Sequence, residues 1–388
     1  DWDVYMLGDC LSRVERPVEV KPNELYTQIG IRSHGKGLFY KEPVTGAALG
    51  NKAVFWIEPD CFIVNIVFAW EQAIGKTTQS EVGMIGSHRF PMYRPVNDRV
   101  DIDYLISYFL TKRGTNILEA ASPGGAGRNK TLGQDRFLKS KIVLPPIEDQ
   151  QKIAAILTTQ DRVIELKEKR LAEKQQQKKY LMQQLLTGKK RLPGFNGEWK
   201  KTKLKNILHE RKTYSPKGLD YPHVTLSTEG IFPKSERYDR DHLVKDEDKE
   251  YKITHKGDIC YNPANLKFGA ICENTFGDAI FSPIYVTFEV RKNVCREYLA
   301  NYLMRWDFIN AVRKYEEGTV YERMAVKPED FLKFEIFLPQ IEEQTAIAEV
   351  FSAADREIEL LRQDIEQEKQ KKKALMQLLL TGIVRVNT

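Results

Sequence analysis

The sequence has little cysteine and no long apolar run, and each shortage excludes a class of protein. It has five cysteines in 388 residues, and none has the Cys-x-x-Cys spacing of a zinc or redox site. The longest apolar run, Cys61–Trp70, is interrupted by Asn65 and is shorter than the ~20 residues that cross a bilayer. We therefore expect a protein of a reducing cytosol with no membrane span and no metal site.

A strong excess of positive charge is also missing. Lysine and arginine number 60 against 54 acidic residues, which gives a net charge of +6. A basic chain often binds nucleic acid, but this excess is small for the length. Any site for a polyanion must therefore consist of local patches, on a chain long enough for two or three domains of about 150 residues.

An internal repeat organises the chain. The segment from Ile142 to Gly188 recurs from Ile336 to Gly382 at a constant offset of 194 residues. Weaker matches extend upstream, such as Tyr104 with Tyr298. We therefore predict two half-chains, each a globular body followed by a helix. The predicted divisions are a first body over 1–146, a central helix over 147–190, a second body over 191–340 and a C-terminal helix over 341–388.

Each body has the patterns of both strands and helices, so the predicted fold class is α+β, with two mixed α/β bodies. Runs rich in Val, Ile, Phe and Tyr, bounded by Gly, Pro, Asp or Asn, predict strands at Lys52–Ile57, Cys61–Ala69, Gly257–Tyr261 and Ala279–Val290. Apolar residues at helical spacing predict helices at Ile102–Lys112 and Arg296–Val312.

The repeated segments are predicted to be helices that end at Gly188 and Gly382. Their apolar residues recur by sevens, which predicts an antiparallel coiled coil with pseudo-twofold symmetry, weakened mid-helix by Lys178 and Lys372. A helix of ~28 residues would span ~42 Å, compatible with two half-sites one DNA turn apart. The alternative is that each helix packs only on its own body. The predicted interface residues are Leu157, Ile164, Leu171, Leu181, Leu185, Phe351, Ile358, Leu361, Ile365, Leu375 and Leu379.

The motifs at the two joints, where each body meets its long helix, carry a family resemblance. The joints read LPPIEDQQKIA and LPQIEEQTAIA, both helices end in LLTG, and RLPGFNGEW opens the second body. With GDICYN, FSPIYVTF and SHRFPMY, this order closely resembles the specificity subunit of Type I restriction–modification systems over essentially the whole chain. The first body departs from the pattern: Pro59-Asp60 replaces Gly257-Asp258, and an extra residue before Asn65 suggests a bulge.

The resemblance implies a function and a set of partners. Each body would be a target-recognition domain that reads one half of an asymmetric, bipartite site in double-stranded DNA, and the helices would set the gap. Two modification subunits would dock on the helices and methylate adenine N6 with S-adenosylmethionine. Restriction subunits would add ATP- and Mg-dependent translocation and cleavage, while this chain would bind no cofactor and catalyse nothing itself.

Two other functions can be weighed from the residues. YNPANL at Tyr261–Leu266 looks like the Asn-Pro-Pro-Tyr box of adenine methyltransferases, but Ala264 and Asn265 replace the second proline and the aromatic residue that would stack on a flipped base. A Gly-rich loop for the methyl donor is also missing, which disfavours a self-contained methyltransferase. A coiled-coil scaffold without a DNA role would explain the helices but not the two divergent bodies.

Candidates for DNA contact are basic, aromatic and amide residues on predicted loops. Arginine and lysine serve phosphates and guanine edges, and asparagine can pair with adenine. The candidates in the first body are Arg32, Lys36, Trp70, Lys76, Arg128 and Lys130. Those in the second body are Lys217, Arg237, Arg240, Asn262, Lys267, Tyr321 and Arg323.

Overall fold

The structure is a computed structural model that describes residues 2–124, 130–216, 221–234, 250–315 and 325–386. Its contacts divide the chain into two compact units. The first unit comprises Asp1–Lys169 and Gln363–Thr388, and the second comprises Arg170–Arg362. The division therefore falls inside both long helices.

The first unit is a mixed α/β body. Its strands are Asp3–Met6 (β1), Leu11–Val14 (β2), Leu25–Tyr26 (β3), Ile29–Ile31 (β4), Leu38–Tyr40 (β5), Val44–Thr45 (β6), Val54–Trp56 (β7), Phe62–Val64 (β8), Ile74–Lys76 (β9), Ile85–Ser87 (β10), Met92–Pro95 (β11) and Lys141–Leu144 (β12). Its short helices are Leu7–Cys10 (α1), Gly46–Leu49 (α2), Ile102–Phe109 (α3), Lys112–Ala120 (α4) and Gln134–Leu138 (α5), and the long helix Ile147–Leu185 (α6) begins here.

The main sheet of the first unit is antiparallel, in the order β2-β11-β8-β9. Its apolar face packs on α3, α4 and α5, where Phe62, Phe109 and Phe137 form one aromatic cluster. β1 pairs with β12 to join the two ends of the body. This core holds the loops that follow β4 and β8 in place.

The second unit repeats this plan. Its strands are Lys200–Lys203 (β13), Leu208–Glu210 (β14), Tyr214–Pro216 (β15), Val224–Ser227 (β16), Gly230–Pro233 (β17), Glu250–Thr254 (β18), Ile259–Tyr261 (β19), Ile271–Glu273 (β20), Ala279–Phe281 (β21), Val286–Val290 (β22) and Glu335–Leu338 (β23). Its helices are Arg296–Leu303 (α7), Trp306–Val312 (α8) and Pro328–Lys333 (α9), followed by the long helix Ile341–Leu379 (α10).

The main sheet of the second unit has the order β14-β22-β19-β20, the counterpart of the first. β13 pairs with β23 as β1 pairs with β12, and Tyr261, Phe288 and Phe331 stack in the core. The internal repeat is therefore a repeat of topology as well as of sequence, and the predicted fold class is confirmed.

Both long helices have 39 residues, and each ends three residues before the glycine predicted to stop it, Gly188 or Gly382. In the first unit, the beginning of α6 and the end of α10 pack into the body, through Leu157, Leu379 and Leu380. In the second unit the roles are exchanged, and Leu185 at the end of α6 shares a core with Phe351 of α10. The predicted antiparallel pairing of the helices is confirmed.

Ion pairs between the helices repeat with exchanged roles. Lys372 pairs with Asp161 at 2.5 Å in the first unit, and Lys178 pairs with Asp355 at 2.6 Å in the second. Each of these lysines, which were predicted to weaken the coiled coil, reaches a carboxylate on the opposite helix. The exchange is the pattern expected of a pseudo-twofold pair.

The predicted interface residues of the two long helices differ in their degree of burial. Ile164, Ile358, Leu361 and Ile365 in the middle of the helices are buried, whereas Leu171 is half-buried. Leu181 and Leu375 are half-buried and pack against the cores of the bodies. The interface residues near the helix ends thus pack on the bodies as well as on the opposite helix.

Several predicted elements are divided in the structure. The predicted helix Ile102–Lys112 ends at Phe109, because the Thr111 hydroxyl accepts the Gly114 N–H at 3.2 Å and begins α4. The predicted helix Arg296–Val312 is likewise two helices, α7 and α8, and the strand predicted from Cys61 ends before Asn65. Among the described residues, no helix is long and apolar enough to span a membrane.

Candidate nucleic-acid interface

The loop between β8 and β9 is the first element of the candidate site. Asn65 is buried, and its side-chain oxygen accepts the Val67 N–H at 3.1 Å, which turns the chain out of the strand. A single 3₁₀ turn, Ala69–Glu71, follows and ends at Gln72 with a positive φ of 58°. This fixed turn holds Trp70 half-buried, and its indole N–H donates to the Val67 carbonyl at 3.1 Å.

The second unit has the same loop between β19 and β20. The Asn262 side-chain oxygen accepts N–H groups from Ala264 at 3.1 Å and Asn265 at 3.3 Å, and a 3₁₀ turn at Leu266–Phe268 follows. The turn ends at Gly269 with a φ of 87°. Asn262 is 6% exposed, so in this conformation its amide supports the turn rather than facing a partner.

The two loops align without the bulge suggested by the sequence. Asp60 has a φ of 53° and its N–H donates to Thr77, as Gly257 with a φ of 93° donates to Asn274. Asp60 therefore occupies the position of Gly257, not that of Asp258, and no residue is inserted before Asn65. Asp258 has another role: its buried carboxylate accepts two hydrogen bonds from Arg211, at 2.9 and 3.0 Å.

Four of the DNA-contact candidates in the first body come together around this loop. The Lys130 ammonium lies 5.3 Å from the centre of the Trp70 ring, a cation–π distance. The turn between β4 and β5, which carries Arg32 and Lys36, is tied to the same loop, because His34 N–H donates to the Glu71 carbonyl at 2.8 Å. Arg32 and Lys36 are exposed beside this junction.

Arg32 and Lys76 have partners within the protein. The Arg32 guanidinium lies 5.0 Å from the Phe39 ring centre and donates to the Leu38 carbonyl, which fixes its direction. Lys76, on β9, forms an ion pair with Asp103 at 2.7 Å. Lys76 is therefore partly neutralised, whereas Lys36 at the tip of the turn has no ion pair within the described chain.

The loop of the second body presents a different pair of side chains. Phe268 is 63% exposed, and the Lys267 ammonium lies 5.3 Å from its ring centre. Lys267 occupies the position of Trp70, so the same backbone carries different chemistry. The sequence reasoning selected Lys267 but missed Phe268; the available signal was an aromatic residue two positions after a polar turn and directly before glycine.

Six further predicted contacts belong to both bodies. They lie outside the described residues and are Arg128, Lys217, Arg237, Arg240, Tyr321 and Arg323. The chain that follows the first of these segments is anchored beside the loop, where Leu132 N–H donates to the Ile66 carbonyl at 2.8 Å. In the second unit Val326 N–H donates to the Pro263 carbonyl at 3.3 Å, the equivalent bond.

The Asn-Pro-Ala-Asn segment does not have the surroundings of a methyltransferase site. Tyr261 before it is fully buried, with its ring centre 4.9 Å from that of Phe331 and its hydroxyl donating to the Val326 carbonyl. Burial also raises the pKa of the Tyr261 hydroxyl well above its usual value. Within the described residues, no group of three or more His, Cys, Asp or Glu could hold a metal ion.

Two bodies of one topology, whose equivalent loops carry Trp70 in one and Lys267 with Phe268 in the other, define a class of internally duplicated α/β proteins. The sequence identifies the class more closely. Residues 57–176 and 196–370 match the Type I restriction modification DNA specificity domain, and the chain belongs to that family. The resemblance predicted from the joint motifs is therefore confirmed, and DNA recognition is the role that the family description states.

Individual relatives agree with this assignment. The chain is 26% identical to a type I restriction enzyme specificity subunit, MjaX, of Methanocaldococcus jannaschii over 430 aligned residues, covering 100% of this chain and 95% of that protein. It is similar in fold to the HsdS subunit from Thermoanaerobacter tengcongensis, with a TM-score of 0.55, 18% identity and coverage of 99% and 97% of the two chains. It is also similar to a chain in a structure on complex assembly and conformational transition of the type I R-M system. That comparison has a TM-score of 0.60 and 17% identity, and it covers 98% of this chain and 97% of the other.

Proposed function

We propose that this chain reads an asymmetric, bipartite DNA sequence as the non-catalytic specificity subunit of a type I restriction–modification complex. The observation that carries the proposal is the duplicated loop, which presents Trp70 in one body and Lys267 with Phe268 in the other; Lys130, from another segment, lies beside the Trp70 ring. A shared scaffold with different side chains gives two readers of different sequences. The two half-sites would then differ, as an asymmetric site requires.

The side chains on these loops suit contact with duplex DNA. Lysine and arginine neutralise phosphates and bond guanine edges, which positions the body on the duplex. Aromatic rings make apolar contact with thymine methyl groups or wedge between base steps. Arg32 and Lys36, beside Trp70, would extend the contact along the backbone in the first body.

The chemistry would belong to partner subunits. Two modification subunits would bind the paired helices and methylate adenine N6 with S-adenosylmethionine, and restriction subunits would use ATP and Mg for translocation and cleavage. The complex would act on DNA in the prokaryotic cytoplasm. The paired helices would set the length of the nonspecific gap, because they are continuous from one unit into the other.

Methylation mapping tests the reading of DNA. Wild-type chain co-expressed with its modification subunits should yield methylated adenines within one bipartite sequence. Trp70→Ala should relax base preference in one half-site and Phe268→Ala in the other, by about tenfold in affinity for the affected sequence. Phe337→Ala is the matched control, because Phe337 is 52% exposed on β23 and lies outside the loop.

Two results would contradict the proposal. If Trp70→Ala and Phe268→Ala leave both the methylated sequence and the affinity unchanged, these loops are not the readers. If the purified chain alone transfers a labelled methyl group from S-adenosylmethionine to DNA, the chain is an enzyme and its role as a non-catalytic subunit is wrong.

A further inference from the structure

The tip of the loop between β19 and β20 holds an apolar ring in an exposed position. Phe268 is 63% exposed, whereas Leu266, two residues before it, is fully buried in the core of the second unit. The same short turn thus has one apolar side chain anchored in the core and another in solvent. An exposed ring on an anchored turn is available to a binding partner.

Hydrogen bonds fix the backbone on both sides of Phe268. Its N–H donates to the Asn265 carbonyl at 3.0 Å, and the Gly269 N–H donates to the Leu266 carbonyl at 2.8 Å. Gly269 has a φ of 87°, a left-handed conformation that glycine adopts without strain. The backbone that carries the ring is therefore ordered before a partner binds, which lowers the conformational entropy that binding costs.

The equivalent loop of the first unit has a different tip. Glu71 occupies the position of Phe268, and its carboxylate accepts the Ser33 hydroxyl at 3.0 Å. Trp70, the residue before it, is half-buried, with its indole N–H bonded within the loop. Phe68 lies at the start of the turn and is less exposed, at 37%. A carboxylate at the tip repels phosphates, so the uncharged ring at this position belongs to the second unit.

We propose that Phe268 is a wedge that enters one base step of the DNA read by the second body. The inference deepens the proposed function, on which it rests, by naming the class of DNA step that this body selects. Apolar side chains that enter DNA in this way partly unstack two neighbouring base pairs. The phenyl ring of Phe268 has the size and the exposure that such a contact requires.

The charge beside the ring favours DNA as the occupant. The Lys267 ammonium lies 5.3 Å from the centre of the Phe268 ring. Lys267 forms no ion pair within the described chain, so its charge is available to a polyanion. A ring that enters a base step brings this ammonium close to the phosphates on either side, where it neutralises their charge.

Pyrimidine–purine steps are the class of DNA step that this wedge would select. TA and CA/TG steps unstack more readily than other steps, so a wedge enters them at the lowest cost. Selection of this kind needs no hydrogen bond to a base edge, which suits a phenyl ring without a polar atom. We therefore expect a TA or CA/TG step within or next to the half-site of the second body.

Permanganate mapping tests the wedge on the full chain in complex with its modification subunits, at saturating protein. Permanganate oxidises thymines that are unstacked, and every TA or CA/TG step contains a thymine. On a duplex with the methylated sequence, wild type should make a thymine at one such step reactive. Phe268→Ala should abolish that reactivity, whereas Phe268→Leu should retain it, because leucine is also an apolar wedge. Thymines opposite the methylated adenines are set aside, since base flipping exposes them too.

A change in the DNA gives a second measurement. Replacement of the reactive step by a stiff AA/TT step should weaken wild-type binding about tenfold more than it weakens binding by Phe268→Ala. Such a difference measures the coupling between the ring and the step. Phe337→Ala, at a ring that is 52% exposed on β23, and Trp70→Ala, in the other loop, are the matched controls. Both should keep the reactive thymine and the wild-type response to the AA/TT step.

Three results would overturn the inference. Wild type could leave every thymine outside the methylated positions unreactive, or Phe268→Ala could keep the wild-type pattern; in either case Phe268 is not a wedge. If Phe268→Ala instead releases a modification subunit, the ring is a protein contact. Failure of the proposed function is distinguishable, because the wild-type complex would then methylate no defined sequence, and the wedge would fall with it.

Discussion

At the scale of single residues, one repeat position has opposite charge in the two bodies. Lys76 on β9 pairs with Asp103 at 2.7 Å, whereas the equivalent position in the second body is Glu273, which faces Glu297. Burial, together with the charge of Glu297, raises the pKa of Glu273 above its ordinary 4.5. The position therefore carries an ion pair in the first unit, whereas in the second unit burial and the charge of Glu297 oppose the ionisation of Glu273 more than Arg296 and Lys256 favour it.

We expect Glu273→Lys to stabilise the second unit by about 0.5–1 kcal/mol, because it recreates the half-exposed ion pair of Lys76 and Asp103. The folded-state pKa of Glu273 is raised, so its penalty is present above that pKa and is relieved as the pH falls through it. The gain, measured by urea unfolding, should thus be largest at neutral pH and shrink as the pH falls through the raised pKa of Glu273.

Glu229→Lys is the control for that substitution, because Glu229 is an exposed carboxylate in the β16–β17 turn of the same unit. It should leave the unfolding midpoint nearly unchanged. A Glu273→Lys variant less stable than wild type at neutral pH would show that the two carboxylates do not repel each other in the folded protein.

The residues around Trp70 show how far residue type predicts a site. Arg32, Lys36 and Trp70 were selected from the sequence as cations and an aromatic residue on predicted loops, and the β4–β5 turn brings them together. Phe268 was not, because an aromatic residue in an apolar stretch usually belongs to the core. Its exposure depends on the 3₁₀ turn that Gly269 ends, which is a feature of backbone geometry.

At the scale of elements, one glutamine explains the repeated joint before each long helix. Gln150 is fully buried; its oxygen accepts the Asp101 N–H at 3.0 Å and its amide donates to the Pro145 carbonyl at 2.8 Å. Gln344 makes the equivalent bonds with Cys295 and Pro339, at 3.0 and 2.9 Å. Each glutamine therefore fixes the first turn of a long helix to its body.

Replacement of Gln150 by leucine should cost about 1–3 kcal/mol, because it leaves buried backbone groups without partners. Amide hydrogen exchange at Asp101 should accelerate, since its N–H loses its acceptor. Gln151→Leu is the matched control, because Gln151 is the exposed neighbour on the same turn. Equal exchange rates in the two variants would mean that Gln150 does not fix the joint.

Secondary-structure elements were predictable where the sequence repeats, but not where tertiary packing determines the end of a helix. The joints, strands and long helices follow from periodicity, glycine and proline. The break between α3 and α4 depends instead on close packing: a Cβ on Gly114 would lie 2.2 Å from the Tyr108 carbonyl oxygen. A glycine inside an apparently helical segment does not by itself reveal that contact.

At the scale of the whole molecule, the two long helices are paired by contacts that also determine where the pair can be lengthened. Lys167 of α6 reaches Asp364 of α10 at 2.8 Å, and Lys174 reaches Glu357 at 3.0 Å. Positions near Lys169 and Gln363 are therefore opposite each other. Insertions at these two positions lengthen both helices without shifting the pairs on either side.

Insertion of four residues after Lys169 and four before Gln363 should widen the gap between the methylated half-sites by ~1–2 base pairs. Four residues add about 6 Å to a helix, while DNA rises ~3.4 Å per base pair. The rotation error is small, because four residues are close to the ~3.6 of one turn, and DNA twist absorbs part of the rest. The bases read in each half should be unchanged, since no recognition loop is altered.

Methylation mapping measures the gap, and insertion into α6 alone is the control. A single insertion shifts Lys174 and Lys178 from Glu357 and Asp355, so it should reduce stability and activity rather than lengthen the gap. The double insertion keeps these pairs and should remain active. An active double-insertion variant that methylates the original sequence with the original gap would show that the helices do not set the spacing, and that the half-sites are separated by some other part of the complex.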